Sequence, residues 1–102
     1  MSVTTHFDQS TLIIEVEGRF GFGLHQQFVT SFSEQTRPVD AYVVDLEKVS
    51  YIESSALGML LVLRKFAAGV SSVVKIINPS SDVRRVLSIA HFEEVFDIED
   101  DE

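Results

Sequence analysis

The stretch Val43–Lys65, VVDLEKVSYIESSALGMLLVLRK, decides the fold. A short apolar strand runs into a polar break and then into a helix whose first turn carries Glu53, Ser54 and Ser55. Hydroxyls at a helix start serve as capping groups for backbone donors that lack intrahelical partners. They also lie at the surface, at the positive end of the helix dipole, where a phosphate is favoured. No acid, base and nucleophile converge around them, so the stretch reads as a switch rather than a catalytic centre.

Outward from this unit, Ala41–Leu46 is an apolar run that predicts a central strand covered on both faces. Upstream, residues 3–7 and 11–17 predict two strands around the polar break Asp8-Gln9-Ser10, the second ended by Gly18. Leu24, Phe28 and Phe32 recur every fourth position, which predicts a helix over 24–35 ended by Pro38. Downstream, the second helix is expected over 55–67 with Gly69 as its stop. A buried strand follows over 72–77, then a helix capped by Ser80 or Ser81 to about Ala90, and a last strand over 95–98. The order β-β-α-β-α-β-α-β in one domain, residues 1–102, predicts an α/β fold: a mixed sheet of about five strands with three helices and parallel crossovers.

Composition narrows the function. The 102 residues contain 45% hydrophobic residues and eight Phe, enough for a core without disulfide or metal. There is no cysteine, hence no thiolate nucleophile or Cys-ligated zinc. Sixteen acids against eight bases give a net charge of −8, the wrong sign for nucleic acid. Much of the excess lies in the C-terminal stretch from Glu93 to Glu102, which reads as a solvated, fraying tail or a contact for a basic partner. The N-terminus lacks the pattern of a secretory signal, and the longest apolar run, residues 59–63, is too short to span a bilayer. These features predict a cytoplasmic protein with no membrane insertion, and a monomer when free, on the premises of a helix-covered sheet and repulsive charge.

His6, His25 and His91 have no metal-ligand spacing, so no metal is expected. Gly21-Phe22-Gly23 lacks the third glycine of a dinucleotide turn, and no G-x-S-x-G elbow occurs. Arg84-Arg85 reads as a solvated helix face. No cofactor is implied.

The order of elements and three segments together resemble the STAS domain, the anti-sigma factor antagonist family. Residues 43–46 through Glu53-Ser54-Ser55-Ala56-Leu57-Gly58 are similar to its strand and D-S-[ST]-G-L-G signature. Residues 78–87, with Phe92, Phe96 and Ile98, resemble its last strand-helix-strand unit, and Gly18-Arg19-Phe20 resembles the turn closing its second strand. Three positions depart from the family pattern: Glu53 where Asp is usual, Ala56 where Gly is usual, and Gly21 where many relatives are acidic.

The resemblance implies a non-enzymatic partner switch. Its phosphorylation site falls on Ser54, with Ser55 the second candidate. Unmodified protein binds a serine kinase that is also the anti-sigma factor, and a PP2C-type phosphatase reverses the modification. Phosphorylation adds about −1.5 to −2 charges near neutral pH, favoured at a helix start by roughly 0.3–1 kcal/mol, so its effect is expected at the interface. Glu53, Ser54, Ser55, Met59 and Val62 are the expected partner-binding residues, the last two forming an exposed apolar strip on the helix. Two further readings are a non-phosphorylated subunit of an ABC lipid transporter and a small-ligand sensor using the loops near Phe20 and Ser54.

Overall fold

The computed structural model describes residues 2–100; Met1, Asp101 and Glu102 of the expected domain and acidic tail lie outside the described residues. Five strands and three α-helices follow in the expected order. They are β1 (Ser2–Asp8), β2 (Thr11–Phe20), α1 (His25–Ser33), β3 (Ala41–Ile52), α2 (Ser54–Gly69), β4 (Val73–Ile77), α3 (Ser81–Ile89) and β5 (Asp97–Glu99), with 3-10 turns at Phe22–Leu24 and Phe92–Glu94. The sheet order is β1-β2-β3-β4-β5, with β1 antiparallel to β2 and every later pairing parallel.

The hydrophobic core lies on one face of this sheet. Leu12, Ile14 and Val16 of β2 and Tyr42, Val44 and Leu46 of β3 point into it, and α1, α2 and α3 all contribute side chains to the same cluster. Ile13 and Val43 point the other way and lie outside it, beside Glu15, Asp45 and Lys75. The central strand is therefore not covered by helices on both faces, because one helical layer already supplies the core. The premise of a helix-covered sheet, offered for a monomer, is corrected with it.

β3 is longer than its apolar run. Glu15 pairs with Asp45 but Glu17 with Lys48, and Gly18 pairs with Val49 but Arg19 with Tyr51. Each step places one extra residue in β3, the signature of a β-bulge. Two bulges convert inward spacing from two residues to three, so Leu46, Val49 and Ile52 are all buried. Asp45 Oδ1 accepts a hydrogen bond from the Glu47 amide at 3.0 Å, closing the first bulge. Gly18, opposite Val49, does not end β2; it takes φ 89°, a conformation side chains disfavour, and the strand continues to Phe20.

The other boundaries shift modestly. α1 begins at His25 because the 3-10 turn takes up Leu24, and α2 runs through Gly69 into Val70. Ser80 caps α3, its hydroxyl accepting from the Val83 amide at 3.2 Å. The acidic C-terminal stretch is not all frayed: Glu99 in β5 pairs with Lys75 at 2.9 Å and Asp100 with Arg84 at 3.4 Å. At the opposite edge, the Val3 amide of β1 donates to Gln27 Oε1 of α1 at 3.3 Å. No helix among the described residues is long and apolar enough to cross a membrane.

Candidate functional site

β2 and β3 are parallel neighbours, so their C-terminal ends reach the same rim of the sheet. Phe20 pairs with Ile52 in the last rung, and the Glu53 amide donates to the Phe20 carbonyl at 2.9 Å. Beyond that rung β2 turns through Gly21 into the Phe22–Leu24 turn, while β3 passes through Glu53 into α2. The two loops meet at Glu53.

Glu53 is the extended N-cap residue of α2, and no side chain makes a capping hydrogen bond there. Ser54 and Ser55 are the first two helical residues, so the reading of them as side-chain caps is corrected. Ser54 is exposed and Ser55 half-buried, with its hydroxyl 3.5 Å from Glu53 Oε1. The contrast with Ser80 is physical: Ser80 stands at the N-cap with extended backbone, where a hydroxyl reaches the third amide, and Ser54 stands one position too late.

The Glu53 carboxylate turns toward the β2 loop. It accepts from Nε of Arg19 in an ion pair, and the Phe22 backbone N–H adds to the forces favouring its charge. The Arg19 hydrogen bond is the main cause holding the Glu53 carboxyl below its ordinary pKa, against the opposing effect of desolvation. The same pair raises the guanidinium of Arg19. Arg19 also lies over the ring of exposed Tyr51, 4.8 Å from its centroid.

Helical spacing sets what surrounds Ser54. Ser54, Gly58, Leu61, Val62 and Lys65 share the outward side of α2, while Ala56, Met59, Leu63 and Ala67 share the inward side. Val62 is 48% exposed and Leu61 44%, whereas Met59 is 3% exposed in the core. Met59 is therefore not part of an exposed strip: its i+3 and i+4 relations to Ala56 and Leu63 carry it inward. A side chain at Gly58 would meet nothing within 4 Å, so the surface one turn from Ser54 is flat and open. Phe22 is 71% exposed and stacks on His25 at 5.4 Å between centroids.

Phe20, beside the loops named for a small-ligand site, is itself fully buried in the core. A groove of about 270 Å³ lies nearby, between the end of β3 and α3, with Tyr51, Asp82 and Arg85 on its walls. His6 and His25 stand on different elements; among the described residues His91 lies near two acids, Glu93 and Glu94, and all three are exposed. Sequence reasoning missed Arg19, Tyr51 and Leu61 as neighbours of the site. Nothing local marks Arg19, which meets Glu53 across 34 residues of chain.

The sequence pattern of the STAS domain matches residues 2–102. The chain is 43% identical over 91 residues to the STAS-domain containing protein PA14_20770 of Pseudomonas aeruginosa (strain UCBPP-PA14), covering 89% of this chain and 90% of the relative. Among solved structures it is similar to a putative anti-sigma factor antagonist from Thermotoga maritima, with TM-score 0.87 and 17% identity over 97% of this chain and 86% of the other. It is also similar to the anti-sigma factor antagonist SpoIIAA in its unphosphorylated form, with TM-score 0.82 and 19% identity over 99% and 89%. At such identities the two solved structures speak for the fold, and the pattern match with the Pseudomonas relative speaks for the family. With one helical layer on a mixed five-stranded sheet and the signature-like turn at the start of α2, this chain belongs to the STAS domain family.

Proposed function

We propose that this chain is a phosphorylation-controlled anti-sigma factor antagonist, a non-catalytic regulatory protein that acts by changing partners. The observation that carries the reading is the exposure of Ser54 on the outer side of the first turn of α2, where its hydroxyl is not spent on capping. A serine kinase, itself the anti-sigma factor, moves the γ-phosphoryl group of ATP onto Ser54 Oγ; the hydroxyl proton leaves and ADP departs. A PP2C-type phosphatase restores the hydroxyl.

The bare surface suits a protein partner. Ser54, Gly58, Leu61 and Val62 present a flat, mostly apolar strip, and burying such a strip favours association. A phosphate on Ser54 sets about two negative charges at its end, in a chain already at −8. Unless the partner brings a cation, desolvating that dianion opposes binding. SpoIIAA, of the same fold, has been solved in phosphorylated and unphosphorylated forms, which is consistent with this reading.

The test is intact-mass and fragment analysis of the protein from its own cells, joined to affinity capture from the same cells. The expected result is a phosphate on Ser54 that is absent from Ser54→Ala, and a kinase-fold partner captured by wild type but not by Ser54→Asp. An unmodified Ser54 under every growth condition, or equal capture by Ser54→Asp, refutes the reading.

A further inference from the structure

Arg19 has no assigned role, yet it is tied to the residue that precedes Ser54. Consecutive α-carbons lie about 3.8 Å apart, so a phosphate on Ser54 would be introduced beside an existing carboxylate–guanidinium pair. We propose that Arg19 is the intramolecular receiver of the Ser54 phosphate: Glu53 holds the guanidinium in the bare protein, and the phosphate takes it over. This inference rests on Ser54 being the modified residue and concerns how that modification is read.

Three features support the exchange. Arg19 and Glu53 are bonded through Nε, on a guanidinium whose side chain is 60% exposed and lies over Tyr51, so it can turn without leaving a cavity. Phosphate offers the same fork more charge and three acceptor oxygens, against two oxygens and one charge on Glu53. Like charges on residues 53 and 54 also repel, which drives Glu53 away from the cation they would otherwise share.

The exchange has a structural consequence. The Glu53 carboxyl packs against Gly21, filling the space a β-carbon there would take, and the Phe22 backbone N–H favours its charged form. Moving the Arg19 bond from Glu53 to phosphate loosens the carboxylate that anchors this turn, which carries the exposed ring of Phe22. The phosphate then alters two parts of the rim, its charge and the setting of Phe22.

The experiment installs phosphoserine at position 54 of the full chain by genetic encoding, so it does not depend on any cellular kinase. ³¹P NMR follows the phosphate titration in wild type, Arg19→Gln and the distant control Arg64→Gln, and ¹⁵Nε signals follow Arg19 itself. The expected result is a second phosphate pKa higher by roughly 0.5 or more in Arg19→Gln and unchanged in Arg64→Gln. The Arg19 Nε signal should also move on phosphorylation of otherwise wild-type protein. An equal phosphate pKa in wild type and Arg19→Gln, with an Arg19 Nε signal indifferent to the phosphate, overturns the proposal. Absence of phosphate on Ser54 in cells would refute the functional reading alone, leaving this chemical result as it stands.

Discussion

Gly21 and Glu53 occupy one space. A β-carbon on residue 21 would lie 2.0 Å from Oε1 and 2.4 Å from Cδ of Glu53. The backbone of Gly21 is extended, with φ −165°, so it is room that residue 21 must give up. Two departures from the family pattern, the longer acid at 53 and the missing side chain at 21, thus depend on each other. Gly21→Ala should displace Glu53 from Arg19 and lower the melting temperature. Adding Glu53→Asp, one methylene shorter, should recover part of that loss. A double-mutant thermal cycle checks the coupling, and purely additive effects would count against it.

Burial separates the two residues expected to share a docking strip. Met59→Ala should cost about 2–5 kcal/mol, as truncation of a core side chain does. Val62→Ala should stay within about 0.5 kcal/mol and weaken partner capture instead. Urea titration of both variants, beside a binding assay, reads the two effects apart.

Serines at two helix starts should likewise behave differently. Ser80→Ala removes the bond to the Val83 amide and should cost about 1 kcal/mol. Ser54→Ala removes no capping bond and should leave stability within about 0.5 kcal/mol. Equal losses in chemical denaturation would mean that Ser54 does cap α2 in solution.

Acid stability should carry the mark of Glu53. Its folded-state pKa is depressed by Arg19, so its contribution is complete above the unfolded carboxylate range and disappears as pH falls through the lower folded value. Glu53→Gln should therefore weaken the protein near neutrality and flatten the acid limb of a stability–pH curve. Asp97 has the opposite sign. Its hydrogen bond with Glu99 raises its pKa, favouring the protonated form, so its stabilising effect is present at low pH and lost as pH rises through the folded value. Asp97→Asn should raise the melting temperature at neutral pH and change it little in acid, where Asp97 already holds a proton.

The order of elements was legible because each helix announces itself by period or punctuation: Leu24, Phe28 and Phe32 before Pro38, and Asn78-Pro79-Ser80 before α3. β3 was legible only to Leu46, since its bulges replace the two-residue period with Val49 and Ile52 at three-residue steps. α2 misled for another reason. Apolar residues surround most of its circumference, so composition could not separate Met59 from Val62, whereas strict helical phase from Ala56 would have. The position of Ser54 came from the signature-like turn. Its neighbours Arg19 and Tyr51 come from long-range strand pairing, which no local pattern encodes.

The hydrogen bond from the Val3 amide to Gln27 has a meaning for the life of the molecule in a crowded cell. β1 is an edge of the sheet, and an edge with bare amides recruits other strands, including those of identical chains. Here a side chain from α1 answers one of those amides from within, without the charge or proline that often blunts such edges. For the exchange of partners proposed above, such a border leaves the sheet edge closed to identical chains and the rim at Ser54 open.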